Sequence, residues 1–137
     1  MQFELVSPER NLASLDAASV TVPGADGDMT VMIGHAPTIT MLRPGLLRVE
    51  VNDAVQEFVV TGGFAEIGAT GMSVLAERAV LKDDMTQDQM DEMFDEAQDF
   101  YQRAKDIKSD GAGMIDEAEK FLADLSTMSS ELGLKIK

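Results

Sequence analysis

Two hydrophobic periods run along the chain, and one replaces the other near residue 80. Up to about Ala79, apolar and polar residues alternate in short runs divided by turn formers, the period of half-buried strands. Phe3 and Leu5 share one face of a first strand, and the polar loop Ser7 to Asn11 follows it. Val20 and Val22 share one face of a second strand, stopped by Pro23-Gly24. Met29 to Ile33 and Thr38 to Leu42 predict two more, joined by the corner Gly34-His35-Ala36-Pro37. In that corner Gly34 takes a positive φ that β-branched residues resist, and Pro37 keeps Ala36 extended. Pro44-Gly45 suits the two central positions of a type II turn. Leu47, Val49 and Val51 alternate with Arg48 and Glu50, and Asn52-Asp53 is placed to turn that strand back into Val55 to Thr61. Gly62-Gly63 ends it, Phe64 to Ile67 forms another strand, and Thr70-Gly71 turns into Met72 to Ala76. Strands recurring this often predict an antiparallel β-sandwich or barrel.

Beyond the charged segment Leu81 to Met85 the period becomes helical. Thr86-Gln87-Asp88-Gln89 has the form of a capping box. Met90, Met93, Phe94, Ala97, Phe100, Tyr101, Ala104 and Ile107 follow at three- and four-residue steps, one apolar stripe on a helix. Ser109 to Gly113 reads as a turn. A second stripe then runs through Met114, Ile115, Ala118, Phe121, Leu122, Leu125 and Met128 to Leu132. Two amphipathic helices with so short a link pack antiparallel. The expected fold class is therefore α+β in two parts, an N-terminal antiparallel β-sandwich or barrel over 1–82 and a C-terminal antiparallel two-helix hairpin over 83–137.

Composition narrows the function classes. The 137 residues are 45% hydrophobic, enough for a folded core, and ten methionines supply part of its volume. A formal net charge of −14 excludes phosphate-backbone binding, which needs clustered Lys and Arg, so no nucleic-acid partner is expected. The same charge is repelled by an anionic membrane surface. No apolar run approaches a membrane span and Met1-Gln2-Phe3-Glu4 opens no signal peptide, so any membrane association is expected through a protein partner. Without cysteine, neither disulfides nor thiolate metal sites exist. Charge also divides the halves, with ten acids against four arginines before residue 81 and fifteen acids against seven Lys and Arg after it. Asp88, Asp91 and Glu92 favour the positive end of the first helix dipole.

No enzyme site emerges from the residues. His35 is the single histidine and has no Ser, Cys or second His in a nucleophile–base arrangement, so a structural or interface role is expected for it. Asp26-Gly27-Asp28 opens like a calcium loop, but Thr30, Met32 and Gly34 stand where oxygen ligands are required. Gly24, Gly27, Gly62 and Gly63 are not followed by the Gly-Lys-Ser/Thr of a phosphate loop. Catalytic residues, cofactors and metals are all expected to be absent, and the carboxylates on the helices read as a solvated acidic face.

Five short blocks carry a family resemblance: Gly27-Asp28, Gly34-His35-Ala36-Pro37, Arg43-Pro44-Gly45, Gly62-Gly63-Phe64 with Glu66, and Ser73-Val74-Leu75-Ala76-Glu77. In order and spacing the first 80 or so residues resemble the N-terminal domain of the epsilon subunit of the F-type (rotary) ATP synthase, bacterial type. The resemblance implies a β-sandwich at the foot of the central stalk, beside the gamma subunit and against the c-ring. It implies a non-catalytic rotor subunit of a proton-translocating complex, peripheral to the cytoplasmic face of a bacterial inner membrane. The matching c-ring-facing loop is Asp28, Met29, Thr30, Val31, Met32 and Ile33, with His35 near it. Family hairpins either fold down or extend along gamma, where they reach the alpha and beta subunits and block ATP hydrolysis. On that reading Lys120, Lys135 and Lys137 are the candidate inhibitory cations, in a second helix that also carries Asp116, Glu117, Glu119 and Asp124. An ATP-binding motif found in some members aligns with Met85 to Met90, but Thr86 replaces its Asp and Gln89 its Arg. Gln89 lacks the charged fork that grips phosphate, so no ATP site is expected. A different class of reading is a β-sandwich interaction module with an acidic helical tail in another complex. Co-purification with a rotary ATPase separates the two.

Overall fold

The structure, a computed structural model, describes residues 1–106 and 111–134, without the side chains of 111–115. Ile107, Ser109, Asp110, Lys135 and Lys137 lie outside the described residues, as do the side chains of Met114 and Ile115. The chain forms two compact units, Met1–Asp84 and Met85–Lys137.

The first unit holds ten strands: β1 (Gln2–Val6), β2 (Asn11–Asp16), β3 (Ser19–Gly24), β4 (Gly27–Val31), β5 (Thr38–Met41), β6 (Gly45–Val51), β7 (Ala54–Thr61), β8 (Phe64–Ile67), β9 (Gly71–Leu75) and β10 (Arg78–Leu81). They make two five-stranded sheets, in the orders β2-β1-β9-β8-β5 and β10-β7-β6-β3-β4. The expected sandwich is present, and its inward faces meet through Phe3, Leu5, Val20, Val22, Leu47, Val49, Phe58 and Val74. Each such side chain, fully buried, stabilises the fold by about 1.5–3 kcal/mol before entropy is counted. Asn52 and Asp53 adopt left-handed φ angles of 48° and 66°, and the β6–β7 hairpin closes on them as predicted.

Four local expectations change. Most ladders are antiparallel, but β1 pairs β9 in parallel, which brings the first strand beside one seventy residues later. Two strands escaped the sequence reading, β2 and β10, each at the edge of its sheet. Leu12, Ala13 and Leu15 of β2 are only partly buried, so its alternation is weak. What reads as a loop before it is a tight hairpin in which Ser7 N–H donates to the Arg10 carbonyl at 2.9 Å. Gly45 is not in a type II turn, which would require positive φ there. It opens β6 opposite Val60 and is glycine because a Cβ would come within 2.8 Å of the Pro23 ring.

The second unit is α1 (Gln87–Asp106) and α2 (Gly111–Leu132), packed on each other. The capping box forms in both directions: Thr86 N–H donates to Gln89 Oε1 at 3.0 Å, and Gln89 N–H to Thr86 Oγ1 at 3.1 Å. On the stripes Met90, Met93, Phe94, Ala97, Ala104, Ala118, Leu125 and Met128 are buried. Gly111 to Gly113, expected in the turn, already belong to the first turn of α2. The far end stops in a Schellman motif, with Leu134 N–H donating to the Ser129 carbonyl, Gly133 N–H to that of Ser130, and Gly133 at φ +70°.

Candidate functional site

The corner between β4 and β5 is built from the edges of both sheets. β4 runs antiparallel to β3 and its last pair is Val31 with Val20. Pairing stops there although Ser19 of β3 still pairs Glu50 of β6 on its other side, so β4 ends two residues earlier than its apolar run and Met32 and Ile33 leave the sheet. They stand 59% and 69% exposed. Gly34 then turns the chain at φ +87° and its N–H donates to the Ala69 carbonyl at 2.8 Å, pinning the corner to the β8–β9 connection. His35 Nδ1–H donates to the Ala36 carbonyl at 2.7 Å, and Thr38 Oγ1 donates to the same oxygen at 3.0 Å. The two exposed apolar side chains thus sit on a loop whose backbone is held by its own hydrogen bonds.

Arg43 holds the other side. Its guanidinium donates to the Gly24 carbonyl and to Asp28 Oδ1, both at 2.6 Å, tying the β3–β4 hairpin to the segment after β5. Backbone bonds complete the seam: Ala25 N–H to Met41 O, Leu42 N–H to Gly63 O, and Arg43 N–H to Pro23 O, at 2.8, 3.0 and 2.9 Å. The motif blocks therefore meet in pairs. Gly27-Asp28 meets Arg43-Pro44-Gly45, and Gly62-Gly63-Phe64 meets Leu75 across the β8–β9 ladder, where Phe64 is opposite Leu75. These blocks set the geometry of the sandwich.

The expected partner-binding set divides on this geometry. Met32 and Ile33 are available, His35 is half-buried, and Thr30 is exposed but shares a 3.0 Å hydroxyl bond with Thr21. Asp28 is exposed and engaged by Arg43. Met29 packs partly on the core. Val31 must be removed from the set, because the strand alternation turns it inward and it is fully buried in the core. Lys120, on α2, pairs with Asp124 one turn on at 3.2 Å. Thr86 and Gln89 are occupied with each other in the cap.

A second surface was not foreseen. Register places Met41 opposite Phe64, Phe64 opposite Leu75, and Leu75 opposite Val6, so one outward row crosses β5, β8, β9 and β1. Ile39 lies two residues from Met41 on the same face, and these two are 68% and 60% exposed. In sequence, Thr38-Ile39-Thr40-Met41 alternates as if Ile39 and Met41 pointed inward. Adjacent large apolar side chains left on a surface make this row a candidate interaction site. Among the described residues no cluster of His, Cys, Asp or Glu could hold a metal ion, and no helix is long and apolar enough to cross a membrane.

Residues 1–82 match the family model described as ATP synthase, Delta/Epsilon chain, beta-sandwich domain. The chain is 51% identical over 134 residues to the ATP synthase epsilon chain of Ruegeria sp. (strain TM1040), covering 98% of this chain and 97% of that one. It is 52% identical over 133 residues to the ATP synthase epsilon chain of Fuscovulum blasticum, with coverage of 97% and 96%. A chain of the Euglena gracilis mitochondrial ATP synthase, solved as OSCP/F1/c-ring in rotational state 1, has the same fold, with a TM-score of 0.69 at 21% identity over 95% of this chain and 79% of that chain. With half its residues shared over nearly its whole length, the chain belongs to the ATP synthase epsilon chain family.

Proposed function

We propose that this chain is a non-catalytic rotor subunit in the central stalk of a proton-translocating F-type ATP synthase, seated between gamma and the c-ring. It turns with them and makes or breaks no bond. The observation that carries this reading is a sandwich of two five-stranded sheets with two exposed apolar surfaces, in a chain half identical to ATP synthase epsilon chains. A coupling subunit has to transmit torque without deforming, and a hydrogen-bonded double sheet does so. Met32 and Ile33, with His35 beside them, form the c-ring side. The outward row Met41, Phe64, Leu75 and Val6, which crosses four strands of one sheet, forms the gamma side. Family membership at about half identity supports the rotor-subunit reading. On this reading the chain is peripheral to the cytoplasmic face of a bacterial inner membrane, held there by the complex.

The unit Met85–Lys137 is proposed as the regulatory or stabilising part, able to brake ATP hydrolysis where it reaches the alpha and beta subunits. Lys120 is the candidate for such a contact, since its side chain is 57% exposed on α2 beside its i,i+4 partner Asp124. The test is to reconstitute the soluble ATPase sector with the full chain or with a chain ending at Asp84. Binding of both forms, with higher hydrolysis for the truncated one, is the expected result. Equal hydrolysis removes the brake and leaves the sandwich with the function. Failure of the full chain to bind removes the rotor assignment.

A further inference from the structure

We propose that Met32 and Met41 are sites of reversible oxidation, and that their sulfoxides keep the free chain from assembling. Ten methionines are spread along the chain, but the fold treats them differently. Met72, Met90, Met93 and Met128 are buried, whereas Met32 and Met41 are the methionines with most of their surface open to water among the described residues. A hydroperoxide must reach the thioether sulfur to react, so exposure sets the order of attack. In the reaction the sulfur gives up two electrons and forms one S–O bond. The peroxide O–O bond breaks, and its second oxygen leaves as water, or as the alcohol from an organic peroxide. A dithiol-dependent sulfoxide reductase reverses the change.

The position of the two sulfurs gives oxidation its consequence. Neither is in the core, so a sulfoxide there leaves the sandwich intact. Met32 adjoins Ile33 on the pinned corner, and Met41 begins the row that continues through Phe64 and Leu75. A sulfoxide oxygen is a strong acceptor, and burying it in an apolar interface without a donor is unfavourable. One modification on each surface therefore weakens both. The site assignment stands on the fold alone, and the assembly effect rests on the proposed function.

The experiment treats the purified full chain with graded hydrogen peroxide, maps sulfoxides by peptide mass spectrometry, and measures binding to ATP synthase assembled without this subunit. Met32 and Met41 should oxidise about tenfold or more ahead of the four buried methionines, in keeping with attack limited by access. The thermal midpoint should hold, and affinity should fall about tenfold or more, which is 1.4 kcal/mol or more of lost docking energy. Reductase treatment should restore binding. A Met32→Leu, Met41→Leu double variant should lose no affinity on peroxide treatment relative to its own untreated form. Oxidation spread evenly over buried and exposed methionines overturns the site assignment. Selective oxidation with unchanged binding overturns the assembly effect. If the untreated chain fails to bind, the rotor assignment fails and takes the assembly effect with it, while the peptide map still decides the oxidation sites.

Discussion

Two glycines with the same backbone hand, one in each unit, show how differently the two halves of this protein are specified. Gly63 sits between β7 and β8 at φ +94°, and a Cβ there would lie 1.9 Å from the Leu75 carbonyl oxygen. Gly133 caps α2 at φ +70° and, among the described residues other than its chain neighbours, has no atom within 4 Å of the place a Cβ would take. In the sandwich, a motif residue is demanded by a neighbour twelve positions away. In the hairpin, the corresponding residue answers only to its own turn. The same holds for charged residues. Arg43 reaches back to Gly24 and Asp28, whereas Arg103 and Lys120 pair within one turn of their own helices, with Asp99 and Asp124. The first unit is therefore constrained by non-local geometry, and the second by periodicity and caps.

The largest test of that contrast is the pair Gly63→Ala and Gly133→Ala, followed by urea unfolding of the whole protein. Gly63→Ala combines positive-φ strain with a clash against backbone, and should cost roughly 3–6 kcal/mol. Gly133→Ala meets open space and should cost only about 1 kcal/mol, the left-handed backbone penalty. Equal losses would mean that the hairpin cap is as constrained as the sandwich seam. A smaller effect sharpens the same point at Arg43. Arg43→Ala should destabilise the fold by about 1–2 kcal/mol, chiefly through the Gly24 carbonyl bond, and Asp28→Ala by less than about 1 kcal/mol because that carboxylate is solvent-screened. An Asp28 effect equal to that of Arg43 would shift the weight to the ion pair. The smallest effect is Thr86→Ala, which removes half of the capping box. It should cost about 1 kcal/mol, seen as fraying of α1 by helix-resolved hydrogen exchange. Fraying that spread to β-strand amides would contradict a purely local role.

Legibility followed the same divide. The capping box at Thr86 and Gln89, the buried stripe of α1 and the left-handed Asn52-Asp53 turn were all readable, because each depends on residues a few positions apart. Edge strands β2 and β10 were not, since β2 is only partly buried and β10 buries two adjacent residues, Ala79 and Val80, so neither shows clear alternation. Nor was the reversed face of β5, where Ile39 and Met41 point outward against the usual sense of the pattern. The resemblance proposes a partner-facing segment that includes Met32, Ile33 and His35, and the fold leaves Met32 and Ile33 exposed but buries Val31 of the same segment. Alternation along a strand says that neighbours face opposite ways, but not which way is inside.

What the sequence by itself determined is the division into a strand-rich and a helical part, the helix caps, the hairpin at Asn52-Asp53, and the family. Those follow from short-range backbone preferences and from motif order, both of which are properties of a linear chain. Only the tertiary structure decided that β1 lies parallel to β9, that Gly45 and Gly63 are small because other strands crowd them, and that Val6, Met41, Phe64 and Leu75 form one row. These four side chains span most of the first unit's sequence and become neighbours only when the register of three ladders is set. Register depends on the packing of both sheets at once, because a slip of one residue would exchange every buried side chain for an exposed one.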